Sequence, residues 1–455
     1  MRRATSSTSV EKTRPRVLVA GVSTRALVES AARAGYAVVS VDAFGDMDNL
    51  AVPSQSLVRD LNVTYSADAA ARASRDLDCQ AVCYVSDLEN YPSSVELLSR
   101  GRALWGNTPD VLARARDPLG LARLLRATRR PAARVRARAL RTESSTEWLA
   151  KPRASGGGHG ITEWHPGDQL PRSHVLQERI AGVPGSIVFV ADGRNAVPFA
   201  LSRQLVGDPA FGATGFQYCG SILSGTRHAV HGSASCDADH AALAALLEAA
   251  AESARALTGE LALVGVNCLD FIAQAGVPHV IELNPRYSAS MELAERAFDF
   301  SVFEAHVRAC GGVRDGSDGS GESSDGRSHN PGGGGSGCEN AGTLMGSGSV
   351  RELPDFDLAH SLRHVDAVGK AVLYARHTTT VGDTRPWLED PDVRDVPHPG
   401  ETILRGHPVC TIFAAGRDDV ECYAALVRAA RGRYDTIERK DSGFRVQGTE
   451  GGVSE

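Results

Sequence analysis

Long apolar runs, paired cysteines and an excess of positive charge are all missing from this 455-residue sequence. No apolar stretch approaches the ~18 residues that cross a bilayer, and the basic first fifteen residues lack an apolar core, so we expect neither a membrane association nor a secretory signal. The formal net charge of −6 gives no basic field to attract nucleic acid. The nine cysteines include no C-x-x-C pair, which argues against a zinc site or a disulfide framework and favours a reducing, cytoplasmic setting.

Lysine is also scarce. Of the 49 Lys and Arg residues, only Lys12, Lys151, Lys370 and Lys440 are lysines. A chain that otherwise uses arginine keeps a lysine either by chance or for its compact ammonium group. The surroundings of Lys151 favour the second explanation.

What is present is the composition of a globular protein, with 42% hydrophobic and 23% charged residues, and the length predicts two to four domains. Residues 16–21, 23–34 and 37–42 have the pattern of a strand, a helix and a second strand, and residues 81–86 that of a further strand. This order predicts an α/β domain with a parallel sheet. Thr108 and Pro109 mark a helix start.

The middle of the chain mixes helix and strand signals. Residues 110–145 are rich in arginine and predicted to be helical, residues 186–201 resemble a hairpin, and residues 240–257 predict a helix. Residues 311–348 are nearly all Gly, Ser, Asp and Asn, and such a segment cannot bury enough apolar surface to fold. The predicted organisation is a disordered N-terminus (1–14), an α/β domain (15–109), a two-part central domain (110–310), a disordered linker (311–348), a small β-rich domain (349–440) and a tail (441–455).

The first motif that carries chemistry is a strand that delivers Lys151 into a glycine-rich loop. Its loop residues are Ser155, Gly156, Gly157, Gly158, His159 and Gly160. Bare backbone N–H groups let such a loop approach a phosphate, while the lysine supplies a point charge. The loop is not a P-loop, because the lysine precedes the glycines. A flexible surface turn is the alternative, and His159 is either a γ-phosphate contact or only a loop residue.

The second motif is an apolar strand that ends in Gln177 and Glu178, followed by the apolar Ile180. A hinge of this kind presents backbone groups and one carboxylate to a purine edge. An ordinary strand end with an exposed glutamate is the alternative interpretation.

The third motif is a predicted hairpin over residues 265–286. Asp270 lies on its first strand, and Glu282 and Asn284 lie two residues apart on the second, so the latter two share a face. Antiparallel pairing brings the three oxygen-bearing groups together, and two carboxylates with an amide oxygen suit one or two Mg²⁺ ions that also hold nucleotide phosphates. Arg286 faces the same side and is suited to bidentate binding of a phosphate or carboxylate. The alternative is a solvated hairpin with acidic tips.

Two weaker patterns leave alternatives open. Residues 21–26 begin like a dinucleotide-binding turn but lack its second and third glycines, so a structural βα turn is favoured over NAD binding. Residues 202–222 either line a pocket for the acceptor substrate, through Arg203, Gln204 and Tyr218, or form a plain loop.

In this order and spacing, the three motifs resemble the ATP-grasp superfamily. The resemblance implies an α/β protein with an ATP-grasp fold, in which a Rossmann-like βαβ domain comes first and a small β-rich domain comes last. It also implies a homodimer by analogy. It assigns phosphate binding to Lys151 and its loop, adenine binding to Gln177, Glu178 and Ile180, Mg²⁺ or Mn²⁺ binding to Asp270, Glu282 and Asn284, and the acyl-phosphate site to Arg286.

The activity implied by this resemblance is that of an ATP- and Mg²⁺-dependent ligase, which joins a small-molecule carboxylate to an amine or thiol through an acyl phosphate. The alternatives are a bicarbonate-using carboligase related to biotin carboxylase, and a non-catalytic ATP-binding protein. Two departures are visible. The family often has a second ATP-binding lysine before the ATP-grasp domain, and Arg114 or Arg116 would have to substitute for it here. The family also often has a ribose-binding glutamate past the hinge, where this chain has only Gly185 and Ser186.

Overall fold

The computed structural model of the protein describes residues 14–138, 147–225, 227, 234–312 and 351–441. Almost all of the N-terminus and linker predicted to be disordered, and of the C-terminal tail, lies outside these ranges, so those predictions stay untested. No helix within them has both the length and the apolar character needed to cross a membrane.

The first part of the chain forms a parallel sheet, as predicted. Its strands are β1 (Val17–Ala20), β2 (Val38–Asp42), β3 (Ser54–Ser56), β4 (Ala81–Tyr84) and β5 (Ala103–Leu104), in the order β3-β2-β1-β4-β5. Every residue of β1, β2 and β4 is buried, because helices α1 (Arg25–Arg33), α2 (Ala67–Ala73) and α3 (Pro92–Leu98) flank the sheet. The strand order reverses at β1, so the carboxyl ends of β1 and β4 border a crevice in which α/β proteins bind ligands.

The prediction of a helical segment from 110 to 145 was wrong in its second half. Helix α4 (Pro109–Ala115) begins after Thr108 as expected, and α5 (Pro118–Ala127) follows it. The chain then turns at Arg129, which has a φ of 56°, and reaches the short strand β6 (Val135–Arg136). Pro131 ends any helix here, because proline lacks an N–H group and disfavours helical geometry in the residue before it. Residues 139–146 lie outside the described part of the chain.

A small antiparallel sheet carries the first two motifs. It contains β6, β7 (Trp148–Pro152), β8 (Thr162–Trp164) and β9 (His174–Glu178), in the order β6-β9-β7-β8. Lys151 is opposite Val175 in the β7–β9 register, and Glu178 at the end of β9 is opposite Trp148. The lysine and the hinge therefore lie on neighbouring strands.

A larger antiparallel sheet carries the third motif. Its first five strands along the chain are β10 (Val183–Asp192), β11 (Ala196–Val206), β12 (Tyr218–Leu223), β13 (Val264–Gln274) and β14 (Val277–Asn284). The predicted hairpins are β10–β11 and β13–β14, and the predicted helix is the central part of α6 (Ala234–Leu261). Helices α7 (Met291–Ala297) and α8 (Val302–Ala309) follow β14.

The C-terminal segment extends this larger sheet. It contributes α9 (Leu358–Leu362), β15 (Ala367–Tyr374), β16 (Thr379–Thr380), β17 (Val393–Arg394), β18 (Thr402–Ile403), β19 (Pro408–Gly416) and α10 (Asp419–Asp441). Strand β15 pairs with β12, which gives the order β14-β13-β10-β11-β12-β15-β19-β17. Helix α10 was not predicted, although the buried Cys422, Leu426, Ala430 and Tyr434 recur at the four-residue spacing of a helix face. The proposed domain boundaries stay a prediction.

Candidate active site

A cavity of about 960 Å³ lies between the two antiparallel sheets and the carboxyl ends of β1 and β4. Of the predicted site residues, all but Arg203 line it: Lys151, Ser155, Gly156, Gly157, Gly158, His159, Gly160, Gln177, Glu178, Ile180, Gln204, Tyr218, Asp270, Glu282, Asn284 and Arg286. Residues from three separate motifs, which are far apart in the chain, thus border one space. A solvated hairpin with acidic tips does not describe this arrangement.

Glu282 is held between two cationic side chains. Its Oε2 is 2.6 Å from Lys151 Nζ, and its Oε1 is 2.7 Å from Arg116 Nη1. These two charges lower the pKa of the Glu282 carboxyl to about 2, against the opposing effect of burial. Arg116 also donates to the carbonyl of Ser155 in the glycine loop (2.9 Å). Arg116 therefore connects the loop to the carboxylate that the sequence assigns to a metal.

Arg114 and Arg116, the two candidates to replace a second ATP-binding lysine, lie in different places. Arg116 is in the site, with 10% of its side chain exposed. Arg114 lies elsewhere, where its guanidinium donates to the carbonyls of Glu260 and Leu261. Arg116 is thus the residue placed to serve as the second cation.

Asp270 lies opposite Glu282 in the β13–β14 register and has no ion pair among the described residues. Its Oδ1 accepts from Gln204 Nε2 (2.8 Å) and its Oδ2 from Asn284 Nδ2 (2.8 Å). Burial and the charge of Glu282 raise the pKa of the Asp270 carboxyl to about 6. A positive charge beside Asp270 would therefore stabilise its ionised form.

The residues present fit a divalent metal ion. Asp270 and Glu282 supply neighbouring carboxylates and Asn284 lies beside both, a set of hard oxygen donors that suits Mg²⁺. The Asn284 amide now directs Nδ2 to Asp270 and accepts from Arg116 and Arg286 through Oδ1, both at 3.4 Å. In the described ranges no group of three or more His, Cys, Asp or Glu residues is arranged to bind a metal, so the amide is needed to complete this set.

The glycine loop packs against the segment before β12. The Tyr218 backbone N–H donates to the carbonyl of Gly157 (3.0 Å). Gly158 has a φ of +80°, and a Cβ added there would lie 1.8 Å from the carbonyl oxygen of Phe216, so only glycine fits. His159 is exposed at the rim of the cavity.

The hinge differs from the prediction in one respect. The carboxylate of Glu178 is bound by Arg134, whose N, Nε and Nη2 all donate to it at 2.8–3.0 Å. This pairing lowers the pKa of the Glu178 carboxyl. Gln177 is buried and donates from Nε2 to the carbonyl of Ile281 (2.9 Å), which ties β9 to β14. The Glu178 carboxylate is thus engaged by Arg134 although the residue lines the cavity, and its role toward a purine stays a prediction.

Arg286 is held more firmly than the sequence suggested. Its guanidinium binds Glu89 Oε1 through Nε (3.0 Å) and Nη2 (2.9 Å) and also donates to the carbonyl of Tyr287 and to Asn284. Most of its N–H groups are thus occupied, and the bidentate clamp predicted from the sequence is not available. Sequence reasoning missed Glu89, although its position just past β4, at the carboxyl end of a parallel strand, was a usable signal.

Arg203, one of the residues expected in a substrate pocket, does not line this cavity. Successive residues of a strand face opposite sides of a sheet, so Gln204 points to the cavity and Arg203 away from it. Arg203 pairs with Asp419 (3.5 Å) and lies over the ring of Tyr423. The hydroxyl of Tyr218 is 2.9 Å from Ser221 Oγ, and burial raises the pKa of this tyrosine.

A comparison with known protein families identifies the central part of the chain. Residues 117–290 match the ATP-grasp domain. The chain contains an ATP-grasp domain. This domain spans the glycine loop, the hinge and the third motif, so the resemblance inferred from these residues is confirmed. A search of curated proteins found no match.

Several solved structures share the fold of most of this chain. Pyruvate carboxylase from Rhizobium etli is 14% identical with a TM-score of 0.60 and covers 93% of this chain, although this chain covers only 37% of that protein. L-amino acid ligase from Bacillus licheniformis is 13% identical (TM-score 0.58), with 92% of this chain and 98% of that chain covered. Carboxyaminoimidazole ribonucleotide synthase from Aspergillus clavatus, complexed with ATP, is 14% identical (TM-score 0.57), with 94% and 99% covered. Because these sequence identities are low, the similarity shows a shared fold and nothing more.

Proposed function

We propose that this protein is an ATP- and Mg²⁺-dependent ligase that activates a small-molecule carboxylate as an acyl phosphate and passes the acyl group to a second substrate. The observation that carries the proposal is that Lys151, Asp270 and Glu282 line one cavity, where Glu282 pairs with both Lys151 and Arg116. Two cations and two neighbouring carboxylates suit a ligand that is itself a polyanion with bound divalent metal.

ATP would lie across the cavity with its base at the hinge. The Glu178 carboxylate is occupied by Arg134, so residues 178–180 would meet the purine edge through their backbone. The phosphates would lie between Lys151 and the glycine loop, where backbone N–H groups and the ammonium balance their charge. Lys151 and Arg116 would exchange the Glu282 carboxylate for phosphate oxygens.

Asp270, Glu282 and Asn284 would hold Mg²⁺. Bound there, the metal would neutralise the β- and γ-phosphates and so favour attack at phosphorus. Release of Lys151 and Arg116 from Glu282 would leave that carboxylate free for the metal. The two exchanges are coupled, because the same carboxylate takes part in both.

The chemistry then follows in two steps. An oxygen of the substrate carboxylate attacks the γ-phosphorus in line, the bond from phosphorus to the β–γ bridging oxygen breaks, and ADP leaves. The second substrate attacks the carbonyl carbon of the acyl phosphate, and phosphate leaves with the electron pair of the broken C–O bond. Arg286 would orient the substrate carboxylate through a single contact, and the glycine loop would exclude water that hydrolyses the intermediate.

A substrate screen tests this function. The purified protein is incubated with ATP, Mg²⁺ and pairs of acids and amines, and ADP and product are measured by a coupled assay and mass spectrometry. We expect stoichiometric ADP, phosphate and condensed product for a correct pair. ATP binding with no ADP release for any acid would favour a non-catalytic protein. ADP release that depends on bicarbonate would instead favour the carboligase alternative.

Arg116 and Arg114 provide a matched pair of variants. Arg116→Ala removes a cation that would hold the phosphates, so we expect the ATP dissociation constant to rise by about tenfold or more, the effect of losing a hydrogen bond to a charged group. Arg114→Ala removes contacts to two carbonyls outside the cavity and should leave the constant unchanged. Calorimetric titration with ATP and Mg²⁺ compares the two; equal affinities would remove Arg116 from the nucleotide site.

A further inference from the structure

A second, smaller cavity of about 280 Å³ adjoins the main one. We call it the side chamber; the residues of its wall that matter here are Arg25, Phe44, Asp46, Arg286, Lys370 and Asp395. The loops at the carboxyl ends of β1, β2 and β4 form one side of it, and strands β15 and β19 form the other. Its volume is close to the lower end of the roughly 300–1,000 Å³ found for pockets that bind small molecules.

The position of Arg286 indicates which substrate reaches the side chamber. Arg286 borders both cavities, whereas the metal-binding set of Asp270, Glu282 and Asn284 lines the main cavity and not the side chamber. The side chamber therefore lies beyond Arg286 from the metal. A carboxylate that Arg286 orients toward the γ-phosphate has its own tail on the opposite side, so the tail of the acid is the group that can extend into this space.

The cations of the side chamber already have carboxylate partners. The pairs are Lys370 with Glu292 (2.7 Å), Arg286 with Glu89 (2.9 Å) and Arg25 with Asp395 (2.9 Å). An anionic ligand would displace one of these carboxylates and leave it without its partner, which is costly for a buried charge. Unlike Glu282, none of the three belongs to the metal-binding set. The paired cations therefore do not make this space a site for an anion.

Asp46, in the loop after β2, is a carboxylate of the side chamber that lacks a partner. Within the described ranges its side chain makes no ion pair and accepts no hydrogen bond. The charges that act on it are those of Asp42, Asp48 and Asp395 and, with opposite sign, that of Arg25, which already pairs with Asp395. Burial and the neighbouring carboxylates raise the pKa of Asp46. A group bound beside it should carry positive charge and donate hydrogen bonds.

The two other acidic residues of this loop show what a structural role looks like here. Asp42 accepts hydrogen bonds from Thr24 Oγ1 (2.7 Å) and from a backbone N–H group (2.8 Å). Asp48 accepts from the backbone N–H groups of residues 395–396 (3.0 and 2.9 Å). Neither lines the side chamber. Asp46 lines it and has no such contacts, so the fold itself does not account for this carboxylate.

The rest of the wall suits an apolar stem that ends in a cation. Phe44, two residues before Asp46 in the same loop, is part-exposed and lines the side chamber. An aromatic ring attracts a cation that lies over its face. Val372 and Val409 add apolar surface from β15 and β19.

We propose that the acid activated by this protein carries a cationic group on its tail, and that this group binds Asp46 in the side chamber while the carboxylate binds Arg286. The inference rests on the proposed ligase function and names the class of its first substrate. An ammonium or guanidinium group brings the charge and the donors that Asp46 lacks. A tail that ends in a carboxylate or phosphate places a second negative charge against Asp46, and a hydroxyl brings no counter-charge.

Calorimetry on the full chain, loaded with a non-hydrolysable ATP analogue and Mg²⁺, tests the proposal. The probes are the amino acids from 3-aminopropanoate to 6-aminohexanoate, each compared with the hydroxy acid and the dicarboxylic acid of matching length; 4-hydroxybutanoate and glutarate match 4-aminobutanoate. At the length that fits, we expect the amino acid to bind about tenfold more tightly than the hydroxy acid, the effect of a hydrogen bond between charged groups.

Variants of Asp46 locate this preference. Asp46→Asn keeps the shape of the side chain and should make the amino and hydroxy acids bind equally. Asp46→Glu should keep the preference for the amino acid but move the best length to a chain shorter by one methylene, since the carboxylate then reaches further into the side chamber. The exposed Asp76→Asn is the control and should behave as wild type.

Several outcomes would overturn the proposal. These are equal binding of amino and hydroxy acids at every length, tighter binding of a dicarboxylic acid, binding of butylamine as tight as that of 4-aminobutanoate, no binding of any acid, or an undiminished preference in Asp46→Asn. Failure of the ligase function would look different: the amino acid would bind with the expected selectivity, yet ATP would give no ADP in its presence with any amine or thiol added.

Discussion

Glu282→Gln should reduce kcat by about three orders of magnitude, because loss of a metal ligand removes several kcal/mol of transition-state stabilisation. Glutamine keeps the shape of the side chain but loses the negative charge that pairs with Lys151 and Arg116 at 2.6 and 2.7 Å. Both cations are then free for phosphate. We therefore expect the affinity for metal-free ADP to be retained or to increase while turnover is lost.

This split between binding and turnover separates a metal ligand from a merely structural residue. A glutamate that only holds the fold together would, when replaced, lower thermal stability and nucleotide affinity together. The exposed Glu260→Gln serves as the control and should behave as wild type. Initial rates with Mg²⁺ varied, together with calorimetry of ADP without metal, measure both quantities. Full turnover in Glu282→Gln would refute the metal assignment.

Lys151→Met should raise the ATP dissociation constant by about tenfold or more and lower kcat by about 10²-fold, since the ammonium balances charge on the phosphates in both the bound and the transition state. The ammonium is buried and close to Glu282, so its removal leaves that carboxylate with Arg116 alone. Titration with ATP and single-turnover rates measure the two effects.

Lys370 offers a matched control for this variant. It is also buried and also pairs with a glutamate, Glu292, at 2.7 Å, but it does not line the main cavity. Lys370→Met should lower the unfolding free energy by about 1–3 kcal/mol, because Glu292 loses one of its two cationic partners. Its affinity for ATP should stay at the wild-type value. A loss of ATP affinity shared equally by the two variants would show that the effect of Lys151 is one of folding.

Much of the fold and of the site could be predicted because the relevant signals are local. Two-residue spacing placed Glu282 and Asn284 on one face of β14, and hairpin pairing placed Asp270 opposite Glu282. The glycines that follow Lys151 marked the loop in the same way. A strand pattern also predicted the parallel sheet, since its buried strands are short apolar runs.

What could not be predicted depends on contacts between distant segments. Glu178 was assigned to the purine because nothing near it in sequence indicates Arg134 as its partner. Arg286 was expected to be free, and its pairing with Glu89 joins residues 197 positions apart. Arg203 and Gln204 are neighbours in sequence, and only the register of β11 shows which one faces the cavity.

The central claim is that Asp270, Glu282 and Asn284 hold a divalent metal that carries ATP phosphates toward Lys151. A crystal structure with a non-hydrolysable ATP analogue and Mn²⁺, in which anomalous scattering locates the metal, tests it most directly. We predict Mn²⁺ bound by oxygens of these three side chains and by phosphate, with Lys151 Nζ on a phosphate and no longer on Glu282. Nucleotide bound outside this cavity, or metal bound with no contact to Asp270 and Glu282, would contradict the account.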